Sequence, residues 1–108
     1  MKPLLPSLKE RKRYILIRVT GKIERKREVA ELVAKAGSQF LGEFNMAKAG
    51  VQFLPETWNA NKKEGIIRVG HKYADELRAA LALVREYEGR KVKVECLKVS
   101  GSLKKLKD

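Results

Sequence analysis

The sequence GIIRVGHK at residues 65–72, followed directly by YADELRAALALV at residues 73–84, decides the fold of this 108-residue chain. The first part is a short β-branched run between glycines, which is typical of a buried strand. The second part carries its main apolar residues at positions 73, 77, 80, 81 and 84, the spacing of one helix face. Asp75 and Glu76 fall in its first turn, where the helix dipole favours acidic side chains. The stretch therefore predicts a strand that leads into a helix, which Gly89 is expected to close.

Outside this unit, alternating apolar residues predict three further strands, and a 3.6-residue period predicts one long helix. The predicted elements, in chain order, are a strand at Lys12–Thr20, a helix at Glu24–Phe44, a strand at Ala47–Trp58 and a strand at Arg90–Ser100. Pro55 cannot donate to a strand ladder, so the second strand is expected at an edge of the sheet.

The order β-α-β-β-α-β predicts an α/β (α+β) domain with the ferredoxin-like arrangement that RNA recognition motifs also use. Right-handed crossovers favour an antiparallel sheet in the order 4-1-3-2 with both helices on one face. The chain then divides into an extended arm at residues 1–10, one domain at residues 11–101 and a basic tail at residues 102–108. The predicted core consists of Ile15, Ile17, Val19, Val33, Phe40, Ile67, Val69, Leu77, Leu81 and Val84.

The chain carries a net charge of +12, and most of the excess lies near its two ends. Such a distribution indicates a polyanionic partner, although a soluble surface with frayed basic tails is the alternative. Charged residues make up 35% of the chain and amides are scarce, which is typical of thermophile proteins.

Antiparallel pairing of the first and last strands would join these basic segments in space. The start of the first strand would lie beside the end of the last strand, so that charges distant in sequence form one patch. The predicted RNA-binding residues are Arg11, Lys12, Arg13, Arg18, Arg68, Lys91, Lys93, Lys104, Lys105 and Lys107.

The sequence contains no recognisable catalytic constellation. His71 and Cys96 are the only residues of their types, which excludes an intrachain disulfide and a cysteine-based metal site. No phosphate-binding glycine loop occurs, and no apolar run approaches the roughly 20 residues of a membrane span. We therefore expect a cytoplasmic binding protein that does not contact membranes.

The predicted sheet face away from the helices is unlike that of an RNA recognition motif. Such motifs stack bases on aromatic residues of the first and third strands, whereas only Tyr14 is available here. Leu16 and Ile66 on the same face indicate cover by another protein or by part of this chain. Scattered exposed aliphatic residues are the alternative interpretation. The predicted partner-binding residues are Tyr14, Leu16 and Ile66.

Four segments together resemble a known family. They are Arg11–Ile15, Gly65–Val69, Glu76–Leu83 and Val99–Lys105, and the similarity runs from about residue 8 to residue 107. These segments resemble the archaeal protein component 2 family of ribonuclease P, whose eukaryotic relatives are subunits of ribonuclease P and ribonuclease MRP.

The resemblance implies a protein subunit of an RNA-based endonuclease that removes the 5′ leader of precursor tRNA. It implies that ribonuclease P RNA holds the active site and its Mg²⁺ ions, so that the protein binds no cofactor itself. It also implies that the protein works with protein component 3, in pairs that associate into a heterotetramer. A ribosomal or other structured-RNA-binding protein is the runner-up. A ferredoxin-like domain that carries a metal or small molecule would need a ligand set that the sequence does not show.

Overall fold

One antiparallel sheet carries the fold in the computed structural model, which describes residues 11–107. The strands are β1 (Lys12–Gly21), β2 (Gln52–Asn59), β3 (Glu64–Gly70), β4 (Glu86–Tyr87) and β5 (Arg90–Ser100). The helices are α1 (Lys26–Ala49), α2 (Ala74–Ala82) and α3 (Leu103–Lys107), with a 3₁₀ turn at His71–Tyr73 before α2. The predicted arm at residues 1–10 lies outside the described residues.

The sheet has the strand order β2-β3-β1-β5-β4, which confirms the predicted order and adds the two-residue β4 beyond the last strand. Central β1 pairs with β3 through Leu16 and Ile66, and with β5 through Tyr14 and Ser100. The register shifts after Leu16, where β5 holds one extra residue. This pairing places the start of β1 beside the end of β5, as predicted.

The core lies between the sheet and helices α1 and α2. Ile15 and Ile17 of β1 and Ile67 of β3 are fully buried on the helix-facing side. Leu77 and Leu81 of α2 are also fully buried, because they belong to its inward apolar stripe. These are predicted core positions, and the deciding segment folds as a strand leading through a 3₁₀ turn into a helix.

Helix α1 is longer than predicted, which moves the start of β2. Residues 47–49 are helical rather than extended, and the helix ends at Gly50, which has φ of 61° and donates its N–H to the Met46 carbonyl. Helices commonly end at a residue in this left-handed conformation, and glycine is favoured there because it has no Cβ to clash. Gly42 interrupts α1 with φ of 83° and ψ of 160°, a conformation open essentially to glycine alone.

Helix α2 is shorter than predicted. It ends at Ala82, and Gly89 lies with Glu88 in the two-residue turn between β4 and β5 instead of closing the helix. Both turn residues have positive φ, as the tight turn of a hairpin requires. The Tyr87 hydroxyl of this hairpin donates to Glu31 of α1 at 2.5 Å, and this bond raises the pKa of Tyr87 to about 12.

Two core predictions near the end of α2 are wrong. Phe40 lies in an open groove beside the end of α2 and is 50% exposed, and neighbouring Leu41 is buried instead. Val84 lies after the end of α2 and is only half-buried against the core.

Helix α3 occupies the sheet face opposite α1 and α2. Leu106 of α3 is buried against Leu54 of β2 and Ile66 of β3, with Tyr14 and Leu16 packed partly around them. The tail predicted at residues 102–108 therefore folds back on the sheet over the part that the structure describes.

Candidate nucleic-acid interface

Two basic segments, one at the start of β1 and one in the helix that follows β5, lie at the same end of the sheet. Lys12 pairs with Gly70 at the end of β3, and the Arg11 carbonyl accepts the backbone N–H of His71 at 2.9 Å. Arg13 lies against the turn before α3, since a Cβ added at Gly101 would stand 3.2 Å from its Nη1. We call this surface the basic end; its residues are Arg11, Lys12, Arg13, Lys104 and Lys105.

The basic end holds positive charge that no nearby carboxylate neutralises in the described part of the chain. Within residues 11–107, the cations of ion pairs within 4.0 Å are Arg18, Arg78 and Arg90, none of which belongs to the basic end. Arg11, Lys104 and Lys105 are exposed. Unpaired cations that face water can neutralise phosphates and release their counterions.

Two predicted RNA-binding residues, Arg18 and Arg68, are engaged within the sheet. Arg18 forms an ion pair with Glu64 at 2.8 Å, and Arg68 donates to the Gln52 side chain at 2.5 Å. Both side chains lie on the α3 side of the sheet, because Arg18 is two residues from Leu16 along β1 and Arg68 is two residues from Ile66 along β3. Their guanidinium groups already have partners, so they offer less to a phosphate than the basic end does.

Lys91 and Lys93 lie at the opposite end of the sheet. Lys93 pairs with Thr20, near the end of β1, and both lysines are exposed. Close by, Arg90 contacts Glu28 at 3.0 Å, and this hydrogen bond lowers the pKa of Glu28. The structure therefore does not bring these two lysines to the basic end. Lys107 belongs to α3, but the description does not extend to its side chain.

Lys72 is an additional basic residue that sequence reasoning missed. It lies in the 3₁₀ turn directly after β3, beside the start of β1, and its side chain is exposed. Strand order could have indicated it, because antiparallel β1 and β3 place residue 71, the residue before Lys72, opposite Arg11.

The predicted partner-binding residues lie under or beside α3. Ile66 is 3% exposed beneath Leu106, so part of this chain covers it. Tyr14 and Leu16 are half-buried at the edge of that contact. Their role toward another protein stays a prediction.

A different apolar surface lies between the two large helices. Phe40 and Leu83 are 50% and 60% exposed and line a shallow groove with Ala36, Ala80 and Val84. Large apolar side chains that share an exposed groove commonly mark a protein contact. Sequence reasoning missed this surface because it assigned Phe40 and Val84 to the core.

The remaining candidate chemical groups have structural surroundings. Cys96 is half-buried on the helix side of β5, and burial raises the pKa of its thiol, against the opposing effect of the Arg78 guanidinium. Nδ1 of His71 lies 3.3 Å from the Arg11 carbonyl. Residues 11–107 contain no group of three or more His, Cys, Asp or Glu side chains placed to hold a metal ion. No helix in that range is long and apolar enough to cross a membrane.

Comparison with known proteins identifies a family that spans almost the whole chain. The profile of the Rpp14/Pop5 family matches residues 13–108. A protein of Thermococcus gammatolerans named ribonuclease P protein component 2 is 39% identical over 98% of this chain and 88% of its own length. The protein of the same name from Pyrococcus abyssi is 34% identical over 99% of this chain and 90% of its own length.

A solved structure shares the fold. A chain in the cryo-EM structure of yeast ribonuclease MRP superposes with a TM-score of 0.65 at 18% identity, over 94% of this chain and 79% of that one. This superposition supports the ferredoxin-like arrangement. The family match and the named relatives agree with the resemblance found in the sequence and not with a ribosomal protein.

Proposed function

The chain belongs to the Rpp14/Pop5 family, and from this premise we propose that it acts as a protein subunit of ribonuclease P, the RNA-based endonuclease that removes the 5′ leader of precursor tRNA. In this proposal the RNA and its Mg²⁺ ions perform the cleavage, and the protein supports the RNA. The observation that carries the physical part is the basic end, a cluster of cations from β1 and α3 that have no carboxylate within 4.0 Å among residues 11–107.

The proposed mechanism is phosphate neutralisation. The lysines and arginines of the basic end release counterions from neighbouring RNA strands and lower the repulsion that opposes the folded RNA. Arg11 and Arg13 can also hold a phosphate through two parallel N–H donors each. No side chain of this protein acts on the scissile bond.

Base stacking has a minor place in this mechanism. In RNA recognition motifs the open sheet face carries the stacking aromatic residues. Here that face carries α3, and Tyr14 beside it is half-buried. Recognition of phosphate positions in folded RNA is the mode that fits the described surface.

Reconstitution tests the proposal. Ribonuclease P RNA, precursor tRNA and the other protein subunits are combined with and without this protein at low Mg²⁺, and 5′-leader release is measured. We expect cleavage to depend on this protein at low Mg²⁺ and to become less dependent at high Mg²⁺. Cleavage that is equal with and without the protein at every Mg²⁺ concentration contradicts the proposal. That result would favour the alternative, a structured-RNA-binding protein outside ribonuclease P.

We further propose that protein component 3 is the direct protein partner, that pairs assemble into a heterotetramer, and that the particle works in the cytoplasm. The exposed groove at Phe40 and Leu83 supports a contact with component 3 at that site. The other candidate surface is the sheet beside α3, where Leu16 is half-buried. Leu83→Lys should weaken co-purification with component 3 if the groove is the interface. Leu16→Glu should weaken it if the sheet beside α3 is the interface. If both variants bind as wild type does in pull-down and sedimentation, neither surface is the contact.

A further inference from the structure

Helix α3 is attached to the sheet mainly through one apolar contact. Leu106 is 9% exposed and packs on Leu54 and Ile66, which are 7% and 3% exposed. This cluster is separate from the main core on the other side of the sheet. Leu103 adds a partly buried contact to the same cluster.

The opposite side of the same helical turn carries charge. Lys104 and Lys105 are exposed, whereas Leu103 and Leu106, three residues apart, face the sheet. Helix α3 spans only Leu103–Lys107, and isolated helices of this length are not stable in water. The position of its two lysines therefore depends on the leucine contact.

Local bonds at the start of α3 set its direction but do not hold its far end. The Ser102 N–H donates to the Ser100 hydroxyl at 3.0 Å. Gly101 lies against the Arg13 guanidinium, so the turn and the start of β1 are adjacent. Among the side chains that the structure describes in the last turn of α3, Leu106 is the one buried against the sheet.

We propose that Leu106 is a positioning residue for RNA binding, and that it acts by holding Lys104 and Lys105 in the same surface as Arg11, Lys12 and Arg13. The proposal rests on the proposed function, since it takes the basic end as the RNA interface. An uncharged, buried side chain then controls the affinity for RNA and its dependence on salt. Without the contact, the lysines would move with a frayed tail and would no longer neutralise fixed phosphates.

The test compares Leu106→Ala with the double variant Lys104→Ala/Lys105→Ala and with the triple combination. Binding of each protein to ribonuclease P RNA is measured across a KCl series, and the slope of log affinity against log salt is extracted. The double variant should flatten the slope by about 0.7–0.9 per lost phosphate contact. Leu106→Ala should flatten the slope by a comparable amount although it removes no charge, and the triple variant should be no flatter than the double.

Matched variants separate positioning from a general loss of stability. Leu106→Met should restore the wild-type slope, because methionine conserves the volume of the anchor. Leu54→Ala removes the sheet side of the contact and should reproduce the effect, which keeps the test decisive even if Leu106→Ala misfolds. Leu32→Ala, at a buried α1 position that is 3% exposed, should lower stability and leave the slope unchanged.

The outcomes distinguish this inference from the proposed function. If the double lysine variant has the wild-type slope, the basic end is not the RNA interface and the positioning role fails, while the function as a ribonuclease P subunit is decided separately by the reconstitution. If the double variant is flatter while Leu106→Ala and Leu54→Ala keep the wild-type slope, only the positioning role fails. An additive flattening of the slope in the triple variant also overturns the positioning role. If Leu106 acts only through Lys104 and Lys105, its replacement should have no further effect once both lysines are alanine.

Discussion

At the scale of single residues, packing in the main core is set by a few side chains that meet between α1 and α2. Leu77 of α2 is fully buried and approaches Gly37 of α1, where a Cβ would lie 3.6 Å from its Cδ1. The Met46 thioether occupies the remaining space above Gly37, at 2.5 Å from the same Cβ position. Gly37 therefore lies within regular helix and gives Met46 room, rather than marking a bend.

Leu77→Ala should lower the free energy of unfolding by about 2–5 kcal/mol, because it removes a fully enclosed side chain and leaves a cavity. Chemical denaturation monitored by circular dichroism measures this loss. The exposed Leu83 is a suitable control, since its replacement by alanine should change stability by about 0.5 kcal/mol or less. Equal effects of the two substitutions would show that the inward face of α2 has been misassigned.

Cys96 should react slowly with iodoacetamide in the folded protein. Only the thiolate reacts, and a pKa raised by burial reduces the thiolate fraction at pH 7–8. Arg78 opposes this shift, so Arg78→Ala should slow the reaction further. The rate in denaturant should exceed the native rate, and a native rate equal to or above it would contradict the structural role given to this thiol.

At the scale of elements, the sequence predicts which segments are helical or extended better than where they end. Regular apolar spacing identified β1, α1, β3, α2 and β5. The errors lie at residues whose conformation depends on a neighbouring element, such as 47–49, where alternation with Val51 and Phe53 imitated a strand. The hairpin at Glu88 and Gly89 was missed because the same Glu-Gly pair is equally compatible with a helix end.

Gly42 tests directly whether α1 is interrupted within its length. Its φ of 83° and ψ of 160° are inaccessible to alanine without strain, although no atom would clash with an added Cβ. Gly42→Ala should therefore cost about 1–3 kcal/mol through backbone conformation alone. Gly50→Ala, in the left-handed region, should cost about 1–2 kcal/mol.

Thermal unfolding and helical circular dichroism of both variants check this account. If α1 were continuous through residue 42, Gly42→Ala would instead stabilise the protein by about 0.5–1 kcal/mol, as alanine does inside helices. A gain in stability at residue 42 together with a loss at Gly50 would contradict the break and support the predicted single helix.

At the scale of the whole molecule, the order of elements was sufficient to predict the topology, because few arrangements of β-α-β-β-α-β satisfy the rules for crossovers. The topology in turn brought the start of β1 beside the end of β5, and so located the basic end. The sequence did not reveal that Arg18 is paired with Glu64, since the two residues meet only through strand register. It also did not show that Leu103 and Leu106 would anchor α3, because a two-leucine pattern in a short basic segment has no distinct period.

The central claim is that this protein supplies positive charge to an RNA that performs the catalysis. Its most direct test is a Mg²⁺ titration of precursor-tRNA cleavage by reconstituted ribonuclease P, with wild-type protein, with Lys104→Ala/Lys105→Ala and with the control Lys26→Ala/Lys35→Ala. The control removes the same number of exposed charges from α1, at positions outside the basic end. Divalent ions can replace lost positive charge around phosphates, so only the variant in the basic end should shift the titration.

Lys104→Ala/Lys105→Ala should raise the Mg²⁺ concentration needed for half-maximal cleavage, while the rate at saturating Mg²⁺ returns to the wild-type value and the control stays unchanged. A variant that still binds the RNA but fails to cleave at every Mg²⁺ concentration would contradict the account, because these lysines would then take part in more than charge neutralisation.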